Sequence, residues 1–182
     1  MTIILMALQK ESNGLIEATA QAADIKIFYT GIGLIAAASK TAEVIVTHKP
    51  TAILNIGTAG SRHLEIGSLV EGIKFSNRTK EQLESIKYSI EVSPITNLSK
   101  GHIGSADHID MSDSASDFEV LDMEAYAMAL VCKKMKVQFN SIKYITDDSR
   151  SNFTEKWNQE LKASSISLQN ILSDLIQTKV IG

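Results

Sequence analysis

The feature that most limits how this chain can fold is the alternation of short apolar runs with longer segments of helical periodicity. Residues 2–8, 25–30 and 51–56 read as strands, and the alanine-rich stretch 33–47 reads as a helix. His48-Lys49-Pro50 closes that helix, because proline cannot continue it and cations suit its C-terminal end. The run Thr51–Ile56 then leads into Gly57-Thr58-Ala59-Gly60, read as a glycine-flanked turn. Further along, 68–75, 100–105, 118–121 and 137–146 are strand candidates and 123–135 a helix. A long amphipathic helix is predicted over 153–177, where Trp157, Leu161, Leu168, Leu172 and Leu175 recur at helical spacing. Residues 76–99 are polar and weakly patterned. Strands alternating with helices predict an α/β chain: a single three-layer domain whose mixed, mostly parallel central sheet is flanked by helices.

Composition narrows the functional classes. At 182 residues the chain is long enough for one domain with a substantial core. Its net charge of −3 supplies no positive field for nucleic acid or an anionic membrane. Lys133, Lys134 and Lys136 read as the solvated end of a helix. The sole cysteine, Cys132, lies in an apolar run, so it reads as a buried thiol; an intramolecular disulfide and a cysteine-rich zinc site are excluded. His48, His63, His102 and His108 lack ligand spacing and read as surface or loop residues, so neither metal nor cofactor is predicted. The opening apolar segment has no basic leader, meets Lys10 and Glu11 at once, and is too short to span a bilayer, which points to the cytoplasm.

In doubly wound sheets the ligand crevice lies beyond the C-terminal ends of the strands. Three acids fall at such places: Glu11 after the first strand, Glu124 at a helix start, and Asp147 after 142–146. Each alone reads as a helix-dipole partner or a capping residue, but three at one end of a sheet suggest a site. Thr30-Gly31-Ile32-Gly33 and Gly57–Gly60 supply flexible backbone at the same end and are expected to present N–H groups to a ligand. Neither is a dinucleotide fingerprint, because Ala36 stands where the last glycine would be, and there is no P-loop.

Six segments carry a resemblance: Ala7–Glu11, Thr30–Ala38, Asn55–Gly60, Gly104–Asp107, Leu121–Ala127 and Ile145–Asp147. In this order they resemble the successive motifs of the methylthioadenosine/S-adenosylhomocysteine nucleosidases, within the nucleoside phosphorylase superfamily. The resemblance implies a nucleoside phosphorylase-like fold, a small-molecule purine nucleoside as ligand, and a homodimer. It implies that Asp147 protonates the purine at N7, with Thr146 in the place of a base-proximal serine. Glu11 would orient or deprotonate the attacking water. Met123 and Glu124 would lie under the ribose, Glu124 accepting from its hydroxyls, and Thr58, Ala59 and Gly60 would line the sugar and base. Ile109 falls where the family places a phenylalanine on adenine, and Asp110 follows with backbone contacts to the base. Leu8 and Ile32, within the first two segments, and Trp157, ten residues beyond Asp147, complete the implied ligand contacts.

The chemistry agrees. A purine leaves poorly as an anion, so an acid must protonate it as the bond breaks. The oxocarbenium-like sugar is stabilised by carboxylate charge, and a second carboxylate can activate water. Asn55 stands where phosphorylases of the superfamily place an arginine, and Arg62, Arg78 and Arg150 are the only arginines, which favours water over phosphate. Arg62, just beyond the glycine turn, reads as a solvated loop side chain.

The chain departs from the family pattern in length. It has one strand between Ile25 and Gly31 where relatives carry more, and after Phe75 the segment that serves the dimer contact and 5′ pocket is missing or rebuilt. Ala106 replaces a glycine, Asp122 a glutamate, Lys143 an arginine, and Ile109 an aromatic. The leading reading is hydrolysis of 5′-methylthioadenosine or S-adenosylhomocysteine. The alternatives are a hydrolase of another modified nucleoside such as futalosine, a phosphorylase, and a catalytically silent nucleoside-binding protein.

Overall fold

Every residue of the first strand, β1 (Thr2–Met6), is buried, and its two-residue period divides the side chains between two cores. Ile3 and Leu5 join Val44, Ile45 and Met128 on one face, while Ile4 and Met6 join Ile16, Leu168 and Leu172 on the other. A strand apolar on both sides must lie between two layers of helices. The computed structural model, which describes residues 1–78, 89–108, 117–150 and 152–181, has this arrangement.

A 3₁₀ turn (Gln9–Glu11) and α1 (Leu15–Ala22) follow β1, then β2 (Lys26–Tyr29), α2 (Leu34–His48) and β3 (Ala52–Gly60). Next come β4 (Leu69–Asn77), β5 (Ser89–Glu91), β6 (Ser99–Ser105) and β7 (Val120–Asp122). The chain continues through α3 (Ala125–Met135), β8 (Gln138–Asp147) and α4 (Phe153–Gln177). Helices α2 and α3 cover one face of the sheet, α1 and α4 the other.

The sheet is mixed and mostly parallel, as predicted. β1 lies between β2 and β3, and β3 also pairs with β8, all in parallel. From β8 the sheet turns back on itself: β8 pairs antiparallel with β4, β4 parallel with β6, and β6 parallel with β7. β7 then returns to β3 through the single antiparallel pair Gly60–Leu121. These five strands close a ring, so the last residues of β3, β6, β7 and β8 converge at one end.

Several expectations need correction. Gly57–Gly60 is not a turn: it is the end of β3, in register with β8 from Gly57–Lys143 to Ala59–Ile145 and shifting to Gly60–Asp147. The glycines serve close approach instead. A Cβ on Gly57 would lie 3.3 Å from Glu11 Oε1, and one on Gly60 would lie 2.0 Å from Ser149 Oγ. The polar stretch 76–99 contains β5, and α1 carries no sequence signal because only Ile16 and Ala20 on it are buried. His102 is a half-buried strand residue, its Nε2 2.9 Å from Ser76 Oγ and its ring edge-on to Phe118; burial lowers its pKa.

Cys132 is buried as expected, and burial pushes its thiol up to about 12. Among the described residues no helix is long and apolar enough to cross a membrane.

Candidate active site

Glu11 reaches the converging strand ends because the 3₁₀ turn follows two residues after β1. Glu11 is only 3% exposed, and three donors hold its carboxylate. Oε2 accepts the amide of Leu8 at 2.9 Å. Oε1 accepts both the amide and the hydroxyl of Thr58, at 2.9 and 2.7 Å.

Asp147 is the last residue of β8 and 8% exposed. Its Oδ2 accepts the hydroxyl of Thr146 at 2.9 Å, and its Oδ1 accepts the amide of Ser149 at 2.8 Å, the local hydrogen bond typical of aspartate at a turn. Glu124, 6% exposed, is the N-cap residue of α3, and its Oε1 accepts the amide of Gly33 at 2.9 Å.

These three carboxyl groups border one cavity of about 280 Å³ at the C-terminal end of the strands. Every other predicted site residue within the described chain borders it too: Leu8, Ile32, Thr58, Ala59, Gly60, Met123, Thr146 and Trp157. Ile109 and Asp110 lie outside the described residues.

Beneath the cavity is a buried charge cluster. Lys143 Nζ lies 2.9 Å from Asp122 Oδ2, and both side chains are buried. Burial opposes the ammonium charge, but Asp122, Glu124 and Glu11 outweigh it and hold the lysine pKa above its ordinary value. Asp122 is fixed in turn by the hydroxyl of Ser105 and the amide of Ala125. Glu124 receives the opposite treatment. Burial first, and then the charge of Asp122, push its carboxyl up to about 7, against the opposing pull of Lys143 and the Gly33 amide.

Two expectations about the backbone and the arginines change. The amides of Gly33 and Leu34 at the start of α2 are taken by the chain's own carboxylates: Gly33 donates to Glu124, and Leu34 donates to Asp107 Oδ1 at 2.6 Å. A helix N-terminus attracts carboxylates, and here the protein supplies its own. Arg62 is half-buried rather than solvated, with Nη2 3.4 Å from the carbonyl of Ser149.

Sequence reasoning missed Arg78, His108, Ser149, Phe153 and Thr154, all of which border the cavity. Arg78 donates to the carbonyls of Gly104 at 2.8 Å and Asp122 at 3.2 Å, joining the ends of β6 and β7. His108 is an exposed loop residue, as the sequence predicts, and it borders the cavity as well. Ser149 carried a signal, being two residues past Asp147, where an aspartate side chain bonds forward to the backbone. Among the described residues no group of histidine, cysteine and acidic side chains is placed to hold a metal.

Comparison with protein-family models finds no match, and neither does comparison with curated proteins. Solved structures do match in shape. The 5′-methylthioadenosine/S-adenosylhomocysteine nucleosidase of Helicobacter pylori, solved with butyl-thio-DADMe-Immucillin-A, is similar at a TM-score of 0.84 and 17% identity over 97% of both chains. The futalosine hydrolase of the same organism gives 0.85 and 18%, again over 97% of both. The 5′-methylthioadenosine nucleosidase of Arabidopsis thaliana, in apo form, gives 0.85 and 20% over 97% of this chain and 94% of that one. The chain therefore has the nucleoside phosphorylase-like α/β fold of these nucleosidases and hydrolases, as the resemblance implied.

Proposed function

We propose that the protein hydrolyses the N-glycosidic bond of a purine nucleoside, with 5′-methylthioadenosine or S-adenosylhomocysteine as substrate. One observation carries the reading: Glu11, Glu124 and Asp147, delivered by three different elements, border the same small cavity. In this scheme Asp147 gives its proton to N7 of the base as the bond from C1′ breaks and the electron pair passes to the purine. Glu11 takes a proton from the water whose oxygen bonds to C1′. Glu124 receives hydrogen bonds from the ribose hydroxyls.

Water is favoured over phosphate by the surroundings of Asn55. This residue stands where phosphorylases place an arginine, yet it is buried, donating to the carbonyl of Leu5 at 3.1 Å and accepting from Ser141 Oγ at 2.8 Å. Lys143, the buried ammonium beneath the cavity, is committed to Asp122. A futalosine-type nucleoside is the second reading, supported by the equal likeness of the futalosine hydrolase fold. Ile32, which borders the cavity, and Ile35 are 54% and 81% exposed and support the homodimer as a further part of the proposal, which light scattering tests.

The deciding experiment incubates the protein with adenine, hypoxanthine and 5′-thio nucleosides, with and without phosphate, and follows free base by chromatography. Release of adenine without phosphate is expected. Turnover that requires phosphate makes the protein a phosphorylase, and release from no nucleoside in either condition removes the enzymatic reading.

A further inference from the structure

The hydroxyl of Thr58 stands between two side chains that the scheme above treats separately. It donates to Glu11 Oε1 at 2.7 Å and accepts the indole N–H of Trp157 at 2.9 Å. An indole N–H can only donate, and a hydroxyl has a single proton. Trp157 therefore fixes the direction of the Thr58 hydroxyl, whose proton points at the carboxylate. Lys10 holds the indole from its own position beside Glu11, with its ammonium 4.0 Å from the ring centre.

The bonds at Glu11 give this direction a consequence. A carboxylate has roughly four acceptor positions. The amides of Leu8 and Thr58 and the hydroxyl of Thr58 take three of them. The position left over is the one from which Glu11 can receive a proton, and it is aimed by the three already filled.

We propose that Trp157 is a positioning residue for Glu11, acting through Thr58, in addition to bordering the cavity. The proposal rests on Glu11 being the base of the proposed hydrolysis. Helix α4 then does more than roof the cavity, because its second turn sets the orientation of a carboxylate that belongs to the opposite end of the chain. Successive hydrogen bonds polarise one another, so losing the indole donor also weakens the Thr58–Glu11 bond.

Trp157→Phe removes the donor while keeping a smaller aromatic ring over the cavity. With 5′-methylthioadenosine, kcat is expected to fall about fivefold to tenfold while KM stays within about twofold, the loss of one hydrogen bond felt in the reacting state. Thr58→Val lowers kcat further, and adding Trp157→Phe to it brings no additional loss, because both changes break the same relay. Thr58→Ser, which keeps the hydroxyl, restores most of the rate. Additive losses, or a change confined to KM, overturn the proposal.

Trp157 is the only tryptophan in the chain, so its fluorescence reports on this contact without any turnover. Thr58→Val is expected to shift its emission to shorter wavelength as the indole loses its acceptor. An unshifted emission overturns the relay whatever the kinetics. A shifted emission in a protein that cleaves none of the nucleosides removes the hydrolase reading and leaves the relay of hydrogen bonds in place.

Discussion

Glu124 and Gly33 join the starts of two helices: the carboxyl at the head of α3 accepts, at 2.9 Å, the amide just before α2. Gly33 has φ +99°, a conformation that residues with side chains rarely adopt, and a Cβ there would lie 2.7 Å from Asp107 Oδ1. Gly33→Ala is therefore strained in its backbone and crowded by the second carboxylate that caps α2. We expect a loss of about 1–3 kcal/mol in stability, measured by urea unfolding, together with a raised KM. A variant as stable as the parent with unchanged KM would show that this junction does not shape the cavity.

Glu124 also sets a pH dependence. Its pKa rises from 4.5 to about 7 on folding, chiefly through burial. Between those values the folded chain holds a proton that the unfolded chain has lost, so this group's stabilising contribution is complete below pH 4.5 and disappears as the pH climbs through 7. The span amounts to on the order of 3 kcal/mol. Glu124→Gln, neutral throughout, is expected to flatten the fall in melting temperature between pH 5 and 8. Parallel profiles for the two proteins would refute the shift.

Asp147→Asn keeps the shape of the side chain and removes the carboxyl group that the proposed hydrolysis uses as its acid. Turnover of 5′-methylthioadenosine should fall by about 10²–10⁴-fold while binding, followed by calorimetry, survives. Full activity in the variant would take Asp147 out of the mechanism.

Lys143 neutralises Asp122 in a buried setting, so Lys143→Met leaves a carboxylate without its cation. Breaking such a pair costs about 3–5 kcal/mol, and chemical denaturation reads it directly. Lys143→Met with Asp122→Asn should recover part of that loss, since the carboxylate left without its cation is gone while the amide oxygen can still accept from Ser105 or Ala125. A double variant as unstable as the single would mean that the damage lies in packing instead.

How much of this was legible in the sequence depends on the kind of signal each part leaves. β1, β3, β8 and the helices α2, α3 and α4 show in their apolar runs, because they pack against one or both cores. Helix α1 contributes two buried residues, too few for a periodic pattern to rise above its polar neighbours. Gly57 and Gly60 misled for a physical reason: glycine marks turns, but it also marks strand positions where another chain segment presses close. The three acids could be placed from strand ends alone, whereas Arg78 could not. It comes from a strand end on the far side of the ring and works by gripping carbonyls, and nothing local in the sequence announces such contacts.

The closed ring of strands has an implication for how such a cavity can change. Thr58, Ala59, Gly60 and Asp147 belong to paired strands, so altering their backbone would mean breaking a cooperative ladder of hydrogen bonds. Phe153, Thr154 and Trp157 reach the same space from one end of a helix that has solvent beyond it. New ligand tolerance in this scaffold would accordingly arise by exchange of Phe153 and Thr154, with Trp157 kept by its tie through Thr58 to the acid-bearing floor.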